Sequence, residues 1–158
     1  PFKLEDPPVQ TEIILMIHKS HVNQKERYLK ALQYGITFYS QHYGPYPYET
    51  ITLVDPPIKG MGAAGMEYPT LFTGGALFII PEGIRMTEMV TIHEYGHGYW
   101  YGIVASNEFE EPWLDEGINS YSEIKAMNAY YGEDSSMMDF LGLKISDLVS
   151  SRMNDDMM

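Results

Sequence analysis

The feature that most constrains this chain is a His-Glu-Tyr-Gly-His run at residues 93–97, followed nineteen positions after its last histidine by Glu116. Four residues turn an α-helix through about 400°, so histidines four positions apart lie on the same helix face. The spacer before Glu116 is long enough for that helix to end, for the chain to reverse and for a second helix to begin beside it. We therefore predict two adjacent helices that bring two imidazoles and one carboxylate together.

This set of side chains is typical of a catalytic zinc site. A catalytic Zn²⁺ takes three protein ligands and keeps a fourth position for water, and two histidines with one glutamate are a recurring set. We predict that His93, His97 and Glu116 bind one zinc ion. Glu94 is the predicted general base, which takes a proton from the zinc-bound water as the oxygen attacks a carbonyl. The pattern indicates amide hydrolysis, although the five-residue run by itself would equally suit packed core histidines.

These motifs resemble a known family. The HExxH run, its eighteen-residue spacer and the Trp-Leu-Asp-Glu-Gly run at residues 113–117 resemble the gluzincin zinc aminopeptidases of the aminopeptidase N type. Upstream, Gly-Met-Glu-Tyr at residues 65–68 resembles that family's exopeptidase signature, usually written Gly-x-Met-Glu-Asn. The resemblance covers roughly residues 51–131. It implies a zinc-dependent aminopeptidase that hydrolyses the N-terminal peptide bond of a peptide substrate with a free N-terminus.

The resemblance also assigns roles to the upstream signature. It implies that this segment is an edge strand whose Gly65 and Met66 pair with the substrate backbone, and that Glu67 binds the substrate's free α-amine. A carboxylate at the closed end of the cleft would distinguish an exopeptidase from an endopeptidase. Ala64 stands where the family has its first Gly, and Tyr68 stands where it has Asn, so both alter the floor of the amine pocket. The alternative role for Glu67 is that of a surface carboxylate on a strand edge.

Other interpretations of the site remain open at this level. A zinc endopeptidase would cleave N-terminally blocked peptides, which an amine-binding Glu67 forbids. A catalytically silent, zinc-stabilised domain could instead serve as a scaffold or peptide-binding module, although it would not need Glu94 and would favour a closed shell of four ligands. If Glu116 does not bind metal, Glu110 or Glu111 in the preceding acidic connection is the next candidate.

The remaining patterns predict an α+β fold. Apolar and β-branched runs bounded by turn residues predict strands, and apolar residues at helical spacing predict helices. The predicted elements are strands at residues 11–18, 50–54 and 76–80 and helices at residues 23–43, 85–104, 115–131 and 136–149. We predict a thermolysin-like zinc peptidase core, in which a small mixed sheet packs against a helical part that carries the HExxH run and Glu116.

The helix that follows Glu116 carries a further candidate for the site. Glu123 lies seven residues beyond Glu116, close to two helical turns, and so faces the same way. A zinc-bound histidine usually donates its other ring N–H to a carboxylate or carbonyl, so Glu123 is a candidate partner for one imidazole. Its alternative role is an ordinary helix charge. The side of this helix predicted to be buried carries Ile118, Tyr121, Ile124 and Met127.

Several glycines need separate explanations. Residues 60–65 match the dinucleotide-binding pattern GxGxxG. We reject that match, because a phosphate-binding loop must open a helix, whereas residues 66–69 include a proline and indicate an extended segment. These glycines are predicted to permit a sharp bend or a close approach to substrate. Gly96 and Gly98 each cost about 1 kcal/mol against Ala in a helix, so we predict that they admit a close neighbour.

Composition narrows the classes of partner and ligand. A hydrophobic fraction of 44% predicts a packed core, and a net charge of -12 disfavours nucleic acid as a partner. The chain has no cysteine, so disulfides and thiolate ligands are excluded. The chain contains no run of eighteen apolar residues of the kind that forms a membrane segment, and the first residues show no signal-peptide pattern. The compartment is left open.

We expect one domain over residues 1–158, sheet-rich in 1–82 and helical in 83–158, that is an incomplete piece of a longer enzyme. The resembled family places an oxyanion-stabilising tyrosine well downstream of the third ligand, and the forty-two residues after Glu116 are too few to reach it. Tyr130 and Tyr131 are predicted to lie on the ligand helix and to point away from the zinc. The family's flanking β and helical domains are absent as well. Because one oxyanion donor is worth about 10²- to 10³-fold in rate, we expect the piece to turn over slowly.

Overall fold

The computed structural model describes residues 11–75 and 79–146, which contain a mixed sheet, a β-hairpin and three α-helices. The strands are β1 (Glu12–Met16), β2 (Thr50–Val54), β3 (Met66–Tyr68), β4 (Leu71–Thr73), β5 (Met138–Phe140) and β6 (Leu143–Ile145). The helices are α1 (Lys25–Tyr43), α2 (Met86–Trp100) and α3 (Ile118–Tyr131). Small sheets combined with helices confirm the predicted mixture of α and β structure.

The larger sheet has the strand order β1-β2-β4-β3. Strands β1 and β2 are parallel and are joined through α1, because parallel neighbours need a long crossover connection. Ile51 and Leu53 of β2 face the core at alternate positions. The short strand β4, which was not predicted, is parallel to β2 and antiparallel to β3. Strand β3 therefore forms an edge of the sheet, as expected for the segment that carries Glu67.

Helices α1 and α2 pack together through aromatic rings. The ring centroid of Tyr39 on α1 lies 5.6 Å from that of Tyr95 and 5.3 Å from that of Tyr99 on α2. The surrounding core contains Tyr28, Leu32, Ile36, Phe72, Ile92, Ala126 and Met127. Gly44 ends α1 with a φ of 105°, in the left-handed region that favours glycine. No helix in the described part of the chain is both long and apolar enough to span a membrane.

A buried arginine fixes the start of α2 against α1. The Arg27 guanidinium donates to both carboxylate oxygens of Glu88, at 2.7 Å and 2.6 Å. Its remaining donors reach Gln24 Oε1 at 3.0 Å and the backbone oxygens of Ile80 and Ile84 at 2.9 Å and 2.8 Å. All five N–H groups of the guanidinium are thus used, as burial of such a charge requires.

The predicted helix at residues 136–149 is wrong. Strands β5 and β6 form a hairpin there, across Leu141 and Gly142, whose φ angles are 52° and 82°. Two successive residues with positive φ make a tight hairpin turn and end any helix. Residues 147–149 of that prediction lie outside the described residues. The same is true of residues 76–78 in the predicted strand 76–80, whereas residues 79–80 are described and are not in a strand.

The buried side of α3 also differs from the prediction. Met127 is buried as expected, but Tyr121 is 59% exposed, so its predicted burial is wrong. The side that faces the interior carries Asn119, Ser122, Glu123, Ala126 and Met127. Polar residues occupy much of it because α3 packs against α2 beside the histidines. A rule that assigns the buried side by apolar spacing therefore selects the wrong face here.

Candidate metal centre and active site

The three predicted ligands converge. His93 and His97 lie one turn apart on α2, and Glu116 belongs to a π-helical turn, Trp113–Gly117, that leads into α3. Glu116 Oε2 lies 3.3 Å from His93 Nε2 and 3.7 Å from His97 Nε2. Neighbouring ligands of a tetrahedral zinc with bonds of about 2.0–2.1 Å are about 3.3–3.4 Å apart. One potential ligand atom from each residue lies within 4.8 Å of the other two, so the group fits one zinc ion.

The group is buried on one side and open on the other. The side chain of His97 is 1% exposed, whereas that of Glu116 is 62% exposed, which leaves a route for a metal ion and a substrate. A hydrogen bond to His93 lowers the pKa of Glu116. Burial lowers the pKa of His93, but hydrogen bonding to Glu116 and the charges of Glu123 and Glu94 outweigh it and raise the pKa to about 10. A divalent cation would therefore displace a proton from His93.

Asp115 is a site residue that the sequence interpretation missed. Its Oδ1 lies 2.6 Å from His97 Nδ1, and both side chains are almost fully buried. A carboxylate only accepts, so Nδ1 donates and the Nε2 lone pair is left for a metal. The signal was present, because Asp115 directly precedes Glu116. A search at helical spacing overlooks it, since the wider π-helical turn lets two adjacent carboxylates reach the two ring nitrogens of one histidine.

Glu123 and Asn119 of α3 approach His93. Glu123 Oε2 lies 3.7 Å from His93 Nδ1, within ion-pair range but longer than a hydrogen bond. Of the two imidazoles, the one beside Glu123 is therefore that of His93. The Asn119 side-chain amide, which was not predicted to take part, donates to the His93 backbone oxygen at 2.8 Å.

Glu94 lies in a buried, acidic part of the site. It is 8% exposed, and burial together with the charges of Glu67, Glu116 and Asp115 raises its pKa to about 7, against the opposing effect of His93. A pKa near the working pH suits a general base. A Cβ on Gly65 would meet Glu94 Oε1 at 3.4 Å, and the φ of Gly65 is 63°. That glycine therefore makes the bend that brings the edge strand next to Glu94.

Glu67 lies on β3, close to His97. One oxygen of Glu67, one ring nitrogen of His97 and one oxygen of Asp115 lie within 4.8 Å of one another. A cavity of about 120 Å³ beside Glu67 and His97 is lined by the tyrosines Tyr46, Tyr48, Tyr68 and Tyr101. Carboxylates and the faces of aromatic rings both attract cations, so this end of the site suits an ammonium group.

Glu110 and Glu111, the alternative candidates for the third ligand, lie away from the histidines. Glu111 accepts a hydrogen bond from Trp113 Nε1 at 2.6 Å, and Glu110 accepts one from Asn107 Nδ2 at 3.0 Å. Neither belongs to a potential metal-binding group among the described residues.

The predictions for the tyrosines of α3 and for the glycines have different outcomes. Tyr130 and Tyr131 lie on α3 as predicted, and their rings contact Tyr34 and Arg85, respectively. Residues 60–65 lead into β3 and not into a helix, which agrees with the rejection of the dinucleotide pattern. The two glycines of α2 differ from each other, because a Cβ on Gly96 would overlap Asn119, whereas one on Gly98 would make an ordinary contact of 3.5 Å with Tyr46.

Comparison with protein families identifies a family for this chain. The sequence matches the model of the Peptidase family M1 domain over residues 27–158, which is well over half of the chain. The matched span includes α2, α3, all of α1 except its first two residues, and every residue of the site described above.

Proposed function

Because this chain belongs to peptidase family M1, whose members are zinc metallopeptidases, we propose that it is the thermolysin-like catalytic core of a zinc aminopeptidase. The observation that carries the proposal is the convergence of three ligand atoms, His93 Nε2, His97 Nε2 and Glu116 Oε2. Glu94 and Glu67 lie beside that group in positions that suit a general base and an amine anchor.

In the proposed metal site, the ligands and the residues beside them have separate roles. His93, His97 and Glu116 would hold the zinc, which when bound supplies a Lewis acid that acidifies water and polarises a carbonyl. Asp115 would hold the His97 ring with Nε2 directed to the metal, through the 2.6 Å contact at Nδ1. Glu123 beside His93 Nδ1 would add negative charge behind the other imidazole.

We assign the proton transfers to Glu94. Its carboxylate would accept the proton that the attacking water loses and would pass it to the nitrogen of the leaving amine. In the zinc-free protein, burial and the nearby carboxylates raise the pKa of Glu94 to about 7, which suits a group that accepts and returns a proton. Its side chain is only 8% exposed, which limits the access of bulk water to this carboxylate.

We assign substrate orientation to β3. One side of this edge strand pairs with β4, and its other side is free of any described strand, so an extended peptide could add there as a further strand. Glu67 would then bind the free α-amine of the peptide's first residue. Tyrosine rings around the adjacent cavity also favour a positively charged group. An acetylated N-terminus has no cation to offer and would lose this interaction.

The test is the turnover of aminoacyl-chromophore substrates by this chain with and without zinc, compared with N-acetylated versions of the same substrates. We expect slow, zinc-dependent release from the free-amine substrates, and loss of that release in Glu94→Gln. Glu67→Ala should weaken free-amine substrates selectively, while Glu108→Ala, a control at an exposed carboxylate, should not. Efficient cleavage of blocked peptides would favour an endopeptidase. Zinc binding with no turnover of any peptide would favour a scaffold or peptide-binding domain.

A further inference from the structure

We propose that Asn119 and Gly96 form a size-matched pair that sets the distance between α2 and α3 and thereby positions Glu116 against the two histidines. This inference rests on the proposed zinc site and adds two positioning residues to it. Neither residue is a potential ligand, and neither was assigned a role in binding metal from the sequence.

Asn119 connects the two helices at the position of a ligand. It is fully buried, and its Nδ2 donates to the His93 backbone oxygen at 2.8 Å. In an α-helix that oxygen also accepts the N–H of the residue four positions later, which is His97. The amide of Asn119 therefore contacts α2 at the backbone group shared by both histidines. Since Asn119 lies three residues after Glu116, it also fixes the end of the turn that carries the third ligand.

Gly96 provides the space that this contact needs. A Cβ at residue 96 would overlap Asn119 Oδ1 and would lie 2.6 Å from the Tyr39 hydroxyl oxygen, closer than real Cβ contacts allow. Any larger residue would have to push α3, and with it the turn that carries Glu116, away from α2. Gly98 on the same helix has no such constraint, because its Cβ would meet only Tyr46 Cε2 at 3.5 Å.

The choice of asparagine indicates positioning and not core stability. Asn119 Oδ1 has no hydrogen-bond partner in the described structure, and neither does the Tyr39 hydroxyl next to Gly96. A fully buried amide with one unsatisfied end stabilises a fold less than a small apolar residue would. A metal site, in contrast, tolerates errors of only about 0.2 Å in its ligand distances. Asn119 therefore serves to position the zinc ligands and not to stabilise the core.

The experiment measures zinc affinity by competition with a chelator, and the unfolding temperature of the zinc-free protein, for matched variants. Asn119→Ala should lower zinc affinity about 10-fold and shift the zinc-free unfolding temperature by less than about 4 °C. Ser122→Ala is its control, because Ser122 is equally buried on α3 but bonds within its own helix, to Ile118. This control should retain the zinc affinity of the parent protein.

The pairing itself is tested at Gly96. Gly96→Ala should weaken zinc binding at least 10-fold, whereas Gly98→Ala, which makes the same chemical change two positions later, should not. The two positions are coupled if the double variant Gly96→Ala/Asn119→Ala binds zinc no more weakly than Gly96→Ala alone, because the overlap with Asn119 is then gone. Independent sites would instead show additive losses.

Two outcomes would overturn the inference. One is parent-like zinc affinity in Asn119→Ala, and the other is additive losses in the double variant. If Gly96→Ala does not fold, Asn119→Ala decides the question by itself. Failure of the parent protein to bind zinc would instead refute the proposed function. The two failures are distinguishable, because both outcomes that overturn the inference require a parent protein that binds zinc.

Discussion

Removing the Asp115 carboxylate should weaken zinc binding without removing a zinc ligand. Its Oδ1 lies 2.6 Å from His97 Nδ1, and the two side chains are 6% and 1% exposed, so Asp115→Ala removes a buried hydrogen-bond acceptor from this imidazole. The imidazole then loses its orientation and its tautomer preference, which for partners of metal-bound histidines costs about 10- to 100-fold in affinity. That range corresponds to about 1.4–2.8 kcal/mol.

Asp115→Asn separates geometry from charge. The asparagine oxygen can still accept from Nδ1, but a neutral hydrogen bond is about half as strong as a charge-assisted one. We therefore expect a loss in affinity close to the lower end of that range. Chelator competition at fixed pH measures both variants, with Asp134→Ala as the control at an exposed aspartate. Parent-like affinity in Asp115→Ala would show that this carboxylate does not orient His97 for zinc.

Three further predictions follow from the charged groups. Zinc binding at pH 7 should release at least one proton, because the pKa of His93 in the zinc-free protein is about 10 and zinc binds neutral imidazole. Calorimetry in buffers of different ionisation enthalpy counts the protons released. As pH rises from about 4.5 to 7, the zinc-free parent protein should lose stability relative to zinc-free Glu94→Gln. Burial raises the pKa of Glu94 to about 7, so over this range Glu94 ionises in the unfolded state but stays largely protonated in the native state. Denaturant titrations at both pH values test the sign. Glu88→Ala should cost about 3–5 kcal/mol in urea unfolding, because it leaves the Arg27 guanidinium buried without its carboxylate.

The shared helix face of the two histidines was predictable because it depends on local geometry. Histidines four apart on a helix must share a face, and the spacer before Glu116 allows a second helix to return beside the first. Glu123 was found by the same periodicity. Asp115 was missed because the π-helical turn departs from that periodicity and places two adjacent side chains around one imidazole.

Other differences arise where tertiary contacts override local pattern. The predicted helix at residues 136–149 is replaced by a hairpin, because a helix cannot continue through the positive φ angles of Leu141 and Gly142. The interior face of α3 is partly polar because it borders the histidines, so apolar spacing wrongly predicted that Tyr121 is buried. The contact between Asn119 and Gly96 joins two helices, and no periodicity within one helix reveals it.

Zinc X-ray absorption spectroscopy on this chain, loaded with one equivalent of metal, tests whether His93, His97 and Glu116 bind the ion. We predict a first shell of two imidazole nitrogens and carboxylate or water oxygens at about 2.0–2.2 Å, with one histidine lost in His93→Ala and a weakened oxygen shell in Glu116→Ala. A shell with fewer than two histidines in the parent protein, or one unchanged by both substitutions, would contradict it.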